Sequence, residues 1–228
     1  EITTRLVGSE MCIRDRLYIK LFIIMKQESL NQNSTNLTLA ERCAAVQQEF
    51  YVGYYVFSSG IISPDKNADS VRSGIIVWKN PDEKAPVGKR ALMVTLDREM
   101  KAWSDAHVEL GGTDDADGRQ NTLEILRRAV EKNIKVPAAE YCHGYNQNGV
   151  LAGEGFLPAK EQLMRMAGNY ERIHQALVNV GEKGLYGIYI SSTEYNKDRA
   201  WQVRMEKRQT HVYAKSYPGD YVRCFVAL

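Results

Sequence analysis

The strongest constraint on the fold is a change of hydrophobic period between residues 155 and 201. Pro158 stands where a helix can begin, and the apolar residues that follow recur at the spacing of one helix face: Leu163, Met166, Ala167, Tyr170, Ile173 and Leu177. Gly168-Asn169 interrupts this pattern, which predicts two short helices or one broken helix. The short apolar run Tyr186–Ile190 then predicts a strand. The segment therefore favours a scaffold that presents a polar loop over a reaction centre.

Helical and strand patterns also alternate upstream, which predicts an α+β fold. Thr38 and Glu41 form a capping-box signature, and the apolar residues that follow favour a helix over residues 38–49. Runs rich in Val, Ile and Tyr, separated by Gly, Pro and Asn turns, predict strands at three places: 51–58, 74–79 and 90–96.

The middle of the chain predicts a further long helix. Asn121 is its expected cap, with Glu124 three residues on and an apolar stripe of Leu123, Leu126 and Val130. Beyond Pro137, another helical turn is expected to pack on the core through Ala138, Tyr141, Cys142 and Tyr145.

An acidic run over residues 114–118 precedes this helix. Its Asp-x-Asp-Gly pattern suggests calcium, but the Glu that closes an EF-hand loop cannot be matched. An Asp-rich turn before a helix N-terminus is therefore favoured.

The C-terminal part alternates with a period of two. Trp201, Val203 and Met205 are expected to face the core, while Gln202 and Arg204 project outward. A closing antiparallel meander is the simplest arrangement, and its last strand, Tyr221–Ala227, would bury three side chains on one face: Val222, Cys224 and Val226.

Residues 195–199, directly after Ser191-Ser192-Thr193-Glu194, form the best candidate site because hydrogen-bonding side chains crowd a short loop beside Trp201. Between residues 194 and 223 there are seven basic and four acidic side chains, which favours an anionic partner. The alternative is a solvated loop and edge strand. The net charge of +2 for the whole chain is too small to indicate a nucleic-acid binder.

Several motifs together resemble a known family. Gly155-Phe156-Leu157-Pro158, Ser191-Ser192-Thr193-Glu194, Ala200-Trp201 and Val222-Arg223-Cys224 resemble, in this order, the pattern of the Lcl C-terminal domains and the related major paralogous domains. Asp117-Gly118-Arg119-Gln120-Asn121-Thr122 is similar to the entry of that family's first helix. The resemblance covers about residues 51–228. It implies a C-type-lectin-like fold with two main helices and an antiparallel or mixed sheet, and a role in adhesion or in binding a receptor or a glycan.

The resemblance also implies a disulfide. Cys142 and Cys224 are similar in position to the pair that joins the first helix to the last strand in lectin-type folds. Two buried free thiols are the alternative. The calcium-binding triplets of sugar-binding lectins are absent, so no metal site is implied, and the sequence has no Cys-x-x-Cys and no cofactor motif.

The N-terminal residues are expected to lie outside the domain. Residues 6–16 resemble a translated sequencing adaptor, and residues 1–24 as a whole are interpreted as a non-native leader. Residues 25–50 are interpreted as a linker and a short helix, followed by the domain at 51–228. No apolar run in the sequence reaches the length of a membrane span.

The resulting prediction is a non-catalytic binding module of a cell surface, an extracellular structure or a virion, with oligomeric state undetermined. It would recognise a glycan, for which the local positive charge favours an anionic one, or a protein receptor, through a surface within 195–208. Its ligand-binding residues would be Tyr195, Asn196, Lys197, Arg199, Gln202 and Arg204. A structural subunit of a fimbria or phage tail is the alternative. A Cys142-dependent enzyme, with His107, His174 or His211 as the partner, is the third hypothesis.

Overall fold

A computed structural model describes residues 37–228. The leader, the adaptor-like segment and most of the expected linker lie outside the described residues. Thr38–Leu228 forms one compact unit, and within it the chain contains five α-helices: α1 (Leu39–Val46), α2 (Gly118–Lys132), α3 (Pro137–His143), α4 (Lys160–Gly168) and α5 (Tyr170–Asn179).

Eleven strands lie within the same described residues. They are β1 (Tyr55–Phe57), β2 (Ile62–Ser63), β3 (Arg72–Lys79), β4 (Ala91–Thr95), β5 (Glu99–Met100), β6 (Gly155–Phe156), β7 (Ile188–Glu194), β8 (Arg199–Arg204), β9 (Gln209–Ala214), β10 (Tyr221–Val222) and β11 (Phe225–Ala227). They form two sheets. One is a six-stranded antiparallel sheet with the order β2-β1-β3-β4-β11-β6, and the other is a five-stranded mixed sheet with the order β5-β10-β7-β8-β9, in which only β10 and β7 run parallel. The predicted α+β class is confirmed, with two sheets where one was expected.

The capping box predicted at Thr38 is present and begins α1. Leu39 and Cys43 of this helix pack into the main core, and Arg42 donates hydrogen bonds to the carbonyls of Ser58 and Gly149. The compact unit therefore starts at Thr38, before the expected boundary at Tyr51, because α1 contributes side chains to the core.

The stripe predicted for α2 is wrong at two of its three residues, and only Leu126 packs against the core. Leu123 is 49% exposed and Val130 82% exposed, whereas Ile125 and Ala129 are buried. Asp117, rather than Asn121, caps the helix: its side chain accepts from the backbone N–H of Gln120. The register of the buried face differs because the helix packs small and polar residues against β7, a pattern that hydrophobic spacing does not detect.

The strand predicted at Tyr221–Ala227 is divided between the two sheets. Tyr221–Val222 pairs with β7 and β5, while Phe225–Ala227 pairs with β4 and β6. Arg223 lies at the crossing, almost fully buried, and its guanidinium donates to the carbonyls of Thr95 and Lys183. A single strand would not allow the chain to cross between the sheets at this point.

The antiparallel run β7-β8-β9 positions the predicted site. Residues 195–198 connect β7 to β8 at one end of the strands, and residues 205–208 connect β8 to β9 at the other end. The break predicted at Gly168-Asn169 is confirmed, with α4 and α5 on either side. Among the described residues no helix combines the length and apolar character needed to cross a membrane.

Candidate functional site

The loop between β7 and β8, residues 195–198 together with Arg199, is called the hairpin tip below. Asn196 shapes it: its side-chain oxygen accepts from the backbone N–H groups of Asp198 and Arg199, both at 2.9 Å. The backbone N–H groups of Tyr195 and Asn196 donate to the carbonyl of Arg199. This is an Asx-type turn, which Asn stabilises through its own side chain. Asn196 therefore organises the loop, and its side-chain oxygen is already engaged.

An aromatic pair flanks the hairpin tip. The Tyr195 ring is 53% exposed and meets the Trp201 ring edge-on, with centroids 5.4 Å apart and an interplanar angle of 87°. Lys160, from the first turn of α4, lies with Nζ 4.7 Å from the centre of the Trp201 ring and is also paired with Asp115. Trp201 was expected in the core, but it is partly exposed. The pair gives this end of the sheet a rigid, amphipathic contact surface.

Two basic side chains of the hairpin tip are exposed without an ion-pair partner among the described residues, Lys197 and Arg199. Asp198 between them is engaged by His107, whose Nδ1 lies 3.1 Å from its carboxylate. Both members of that pair are largely exposed, so it contributes little to stability. The two free cations are available to an external anion.

A buried ion pair between Lys215 and Glu194 stabilises the base of the hairpin tip. Lys215 directly follows β9, its side chain is 1% exposed, and it donates through Nζ to Glu194 at the end of β7, whose side chain is 4% exposed. The Glu194 carboxylate also accepts from the backbone N–H groups of Leu110 and Gly111. Burial lowers the pKa of Lys215, while the hydrogen bond to Glu194 acts in the opposite direction. These contacts join β7, β9 and the segment before α2 at one point.

Arg204 lies at the opposite end of β8. It is five residue steps along the strand from Arg199, so the two are about 17 Å apart. It neighbours the turn at 205–208, where Lys207 and Arg208 are exposed and Glu206 accepts from the backbone N–H of Gly187. The predicted site residues are therefore not brought together at one surface.

Gln202 does not project outward as predicted. It is 4% exposed, and its side-chain amide donates to the buried carboxylate of Asp220. Burial raises the pKa of Asp220, and the hydrogen bond from Gln202 opposes that shift. The alternating pattern placed Gln202 wrongly because β8 is not an edge strand. Side chains on both faces of its middle are buried.

The excess of positive charge between residues 194 and 223 is still present at the surface, but it is divided between the two ends of β8. Of the charged residues counted from the sequence, two basic and two acidic ones are buried: Lys215, Arg223, Glu194 and Asp220. Five basic and two acidic side chains remain at the surface. Two of the basic ones belong to the hairpin tip and three to the opposite turn or its edge, so positive charge alone does not select one end.

Cys142 and Cys224 are buried free thiols in the structure, and each lies close enough to influence the ionisation of the other. Burial raises the pKa of Cys142 well above its usual value. A nucleophilic cysteine needs a lowered pKa, so this environment is the opposite of an activated thiol. The two sulfurs are neighbours, as the implied disulfide requires.

The acidic run forms a turn, as favoured from the sequence. The Asp114 side chain accepts from the backbone N–H groups of Ala116 and Asp117, which lowers the pKa of Asp114. A cleft of about 710 Å³ lies beside this turn and the first turns of α2, with carboxylates and guanidinium groups in its wall, including Asp117, Arg119 and Arg127.

The fold of this chain resembles that of a protein of known structure. No family model matches the chain, and no curated protein matches it. The fold is similar to a crystal structure of a fimbrial protein from Bacteroides ovatus ATCC 8483, with a TM-score of 0.58 and 16% sequence identity. The match covers 79% of this chain and 49% of the other, so this chain spans about half the length of the fimbrial protein. At this identity the likeness concerns the fold.

Proposed function

We propose that the protein is a non-catalytic binding domain of a surface-exposed or extracellular assembly, and that its hairpin tip binds an acidic glycan. The observation that carries this proposal is the Tyr195–Trp201 pair, exposed at Tyr195 and partly exposed at Trp201. It lies beside Lys197 and Arg199, which have no ion-pair partner in the part of the chain that the structure describes. The fimbrial protein with a similar fold supports the surface location.

The hairpin tip has the chemical groups that such a ligand requires. Aromatic rings offer flat apolar area at a low cost in conformational entropy. Arg and Lys side chains bind carboxylate or sulfate oxygens through charge-assisted hydrogen bonds. Because Asn196 and the Glu194–Lys215 pair fix the loop, little further ordering would oppose binding.

The proposed absence of catalysis is supported by the surroundings of Cys142. This thiol is buried, burial raises its pKa, and the ionisable group beside it is another thiol. A thiol-reactive probe applied to the native protein should leave Cys142 unlabelled. Rapid labelling at this position would instead support the enzyme hypothesis.

The experiment for the binding site compares the two ends of the sheet. Lys197→Ala/Arg199→Ala removes two exposed charges from the hairpin tip, and Lys207→Ala/Arg208→Asn removes two from the opposite turn. Asn is used because Arg208 has a φ of 52°, which Asn tolerates. On an array of sulfated and carboxylated glycans, the tip variant and Tyr195→Ala should each bind about tenfold more weakly than wild type, which corresponds to about 1.4 kcal/mol.

The turn variant should bind as wild type does. If it alone loses binding, the site lies at the opposite turn. If neither variant changes binding, the hairpin tip is not the site. Capture of a protein but of no glycan would replace the glycan with a protein receptor.

A structural subunit of a fimbria is the second candidate, and β9 favours it. Among the strands of residues 37–228, this strand pairs with β8 alone, and five of its six residues are exposed. Residues 209–214 contain neither Lys nor Pro, which protect many edge strands from pairing with other chains. Concentration-dependent self-association without ligand in analytical ultracentrifugation, abolished by Thr210→Lys, would support this candidate. A wild-type monomer at high concentration would contradict it.

We also propose that the motif resemblance to the Lcl C-terminal domains reflects a C-type-lectin-like fold. The α+β class and the mixed five-stranded sheet are compatible with that assignment. An experimental structure with the same strand order and connectivity as C-type-lectin-like domains would support it, and a different connectivity would refute it.

A further inference from the structure

Lys215 and Glu194 lie close to the exposed hairpin tip, but both of their side chains are buried. A buried pair is unusual so near an exposed loop. Lys215 Nζ has three neighbours: the Glu194 carboxylate, the carbonyl of Val108 at 2.8 Å, and the Trp103 ring with its centre at 4.5 Å. The amine and the carboxyl group are thus held together where water has little access.

We propose that Lys215 and Glu194 condense to an amide, which cross-links the end of β7 to the residue that follows β9. The inference does not depend on the function proposed above. It rests on the burial of both groups, on the direct contact between Nζ and the carboxylate, and on two backbone N–H groups directed at the carboxylate oxygens.

The reaction balances without a further reagent. The Lys215 ammonium transfers one proton to Oε1 of Glu194, which gives a neutral amine and a neutral acid. Nζ then forms a bond to Cδ, the bond from Cδ to Oε1 breaks, and a second amine proton leaves with Oε1 as water. The third proton stays on the amide nitrogen. One positive and one negative charge disappear together, so the net charge of the chain is unchanged.

The surrounding backbone is placed to assist each stage. Oε2 accepts from Gly111 N at 2.9 Å, and Leu110 N is shared between Oε1 at 2.9 Å and Oε2 at 3.1 Å. The negative charge that develops on Oε2 therefore has one full donor and one shared donor. The carbonyl of Val108 can accept a hydrogen bond from the N–H group that remains on the amide nitrogen. The amide between Lys215 and Glu194 would therefore keep most of the hydrogen bonds that the ion pair makes.

Two further effects favour condensation. Burial lowers the pKa of Lys215, which favours the neutral amine that attacks. Groups held in contact by a fold can react with an effective molarity on the order of 10⁵ M or more, which opposes hydrolysis of the amide by water. The cross-link would enclose residues 195–214, so that the hairpin tip, β8 and β9 become one covalent ring.

Mass spectrometry of the purified full chain tests the proposal. After folding and incubation, the intact mass should be lower than the sequence mass by one water. Trypsin should then fail to cleave after Lys215, and the digest should contain peptide 184–197 joined to peptide 209–223. Lys215→Arg keeps the positive charge but removes the nucleophile, so this variant should have the full mass and should unfold at a lower temperature than wild type.

A wild-type protein that keeps its full mass and releases peptide 209–215 would overturn the proposal, and the pair would be an ordinary buried ion pair. Loss of water that persists in Lys215→Arg, or that maps to Asp117-Gly118, would also overturn it, because an Asp-Gly bond can lose water by forming a succinimide. If Lys215→Arg does not fold, the wild-type mass and digest still decide the question.

Discussion

The two turns at opposite ends of β8 are similar in charge but differ in the contacts that hold them. Both are polar and basic, yet only the hairpin tip has an aromatic pair above and a buried ion pair below. The opposite turn is held by an exposed contact, from the backbone N–H of Gly187 to Glu206. Exposed charge alone therefore does not define a binding surface. The two ends differ in the aromatic pair beside the charges and in the ion pair that holds the loop.

The largest expected effect comes from removing the cation below the hairpin tip. Lys215→Met leaves the Glu194 carboxylate buried without its charged partner, which should lower the free energy of unfolding by about 3–5 kcal/mol. Lys207→Met at the opposite turn removes an exposed cation and should change it by about 0.5 kcal/mol or less. Urea denaturation of both variants measures the difference. Equal effects would show that the hairpin tip is not specially anchored.

A smaller effect is expected in the middle of β8, where Gln202 donates to buried Asp220. Burial raises the pKa of Asp220 above its ordinary value of 3.8, so the folded protein holds this proton more tightly than the unfolded chain. The contribution to stability is therefore fully present in acid, below the unfolded-state pKa, and is lost as the pH rises through the folded-state pKa. Asp220→Asn removes the titration, so its stability relative to wild type should increase from acid to neutral pH.

Thermal unfolding of wild type and Asp220→Asn across that pH range checks the prediction. A constant difference between the two proteins would mean that the pKa of Asp220 is the same in the folded and unfolded states.

Local signals in the sequence predicted much of the framework. The capping box at Thr38, the break at Gly168-Asn169 and the strands near 74–79 and 90–96 are confirmed. These features depend on neighbouring residues, whose chemistry the sequence states directly. The loop at 195–198 was also placed correctly, because a polar run after a short apolar strand indicates a turn.

Features that depend on distant partners were not predicted. Lys215 and Arg223 were counted as surface charges, but they are buried because carbonyls and a carboxylate from remote segments satisfy them. Gln202 was assigned outward for the same reason, since its partner Asp220 is far along the chain. One indication of these buried partners was available in the sequence. Glu194 is an acidic residue at the end of β7, the strand that begins within the apolar run Tyr186–Ile190.

The smallest expected effects compare how the two turns are held. Asn196→Ala removes two backbone hydrogen bonds from the hairpin tip, and Glu206→Ala removes one from the opposite turn. Because all of these bonds are exposed, each variant should lose only about 0.5–1.5 kcal/mol. Asn196→Ala should nevertheless weaken glycan binding, since Lys197 and Arg199 would no longer be held in one arrangement and their ordering would oppose association. Glu206→Ala should leave binding unchanged. If Asn196→Ala binds with wild-type affinity, the shape of the loop is irrelevant to recognition, and the difference between the two turns lies in the Tyr195–Trp201 pair alone.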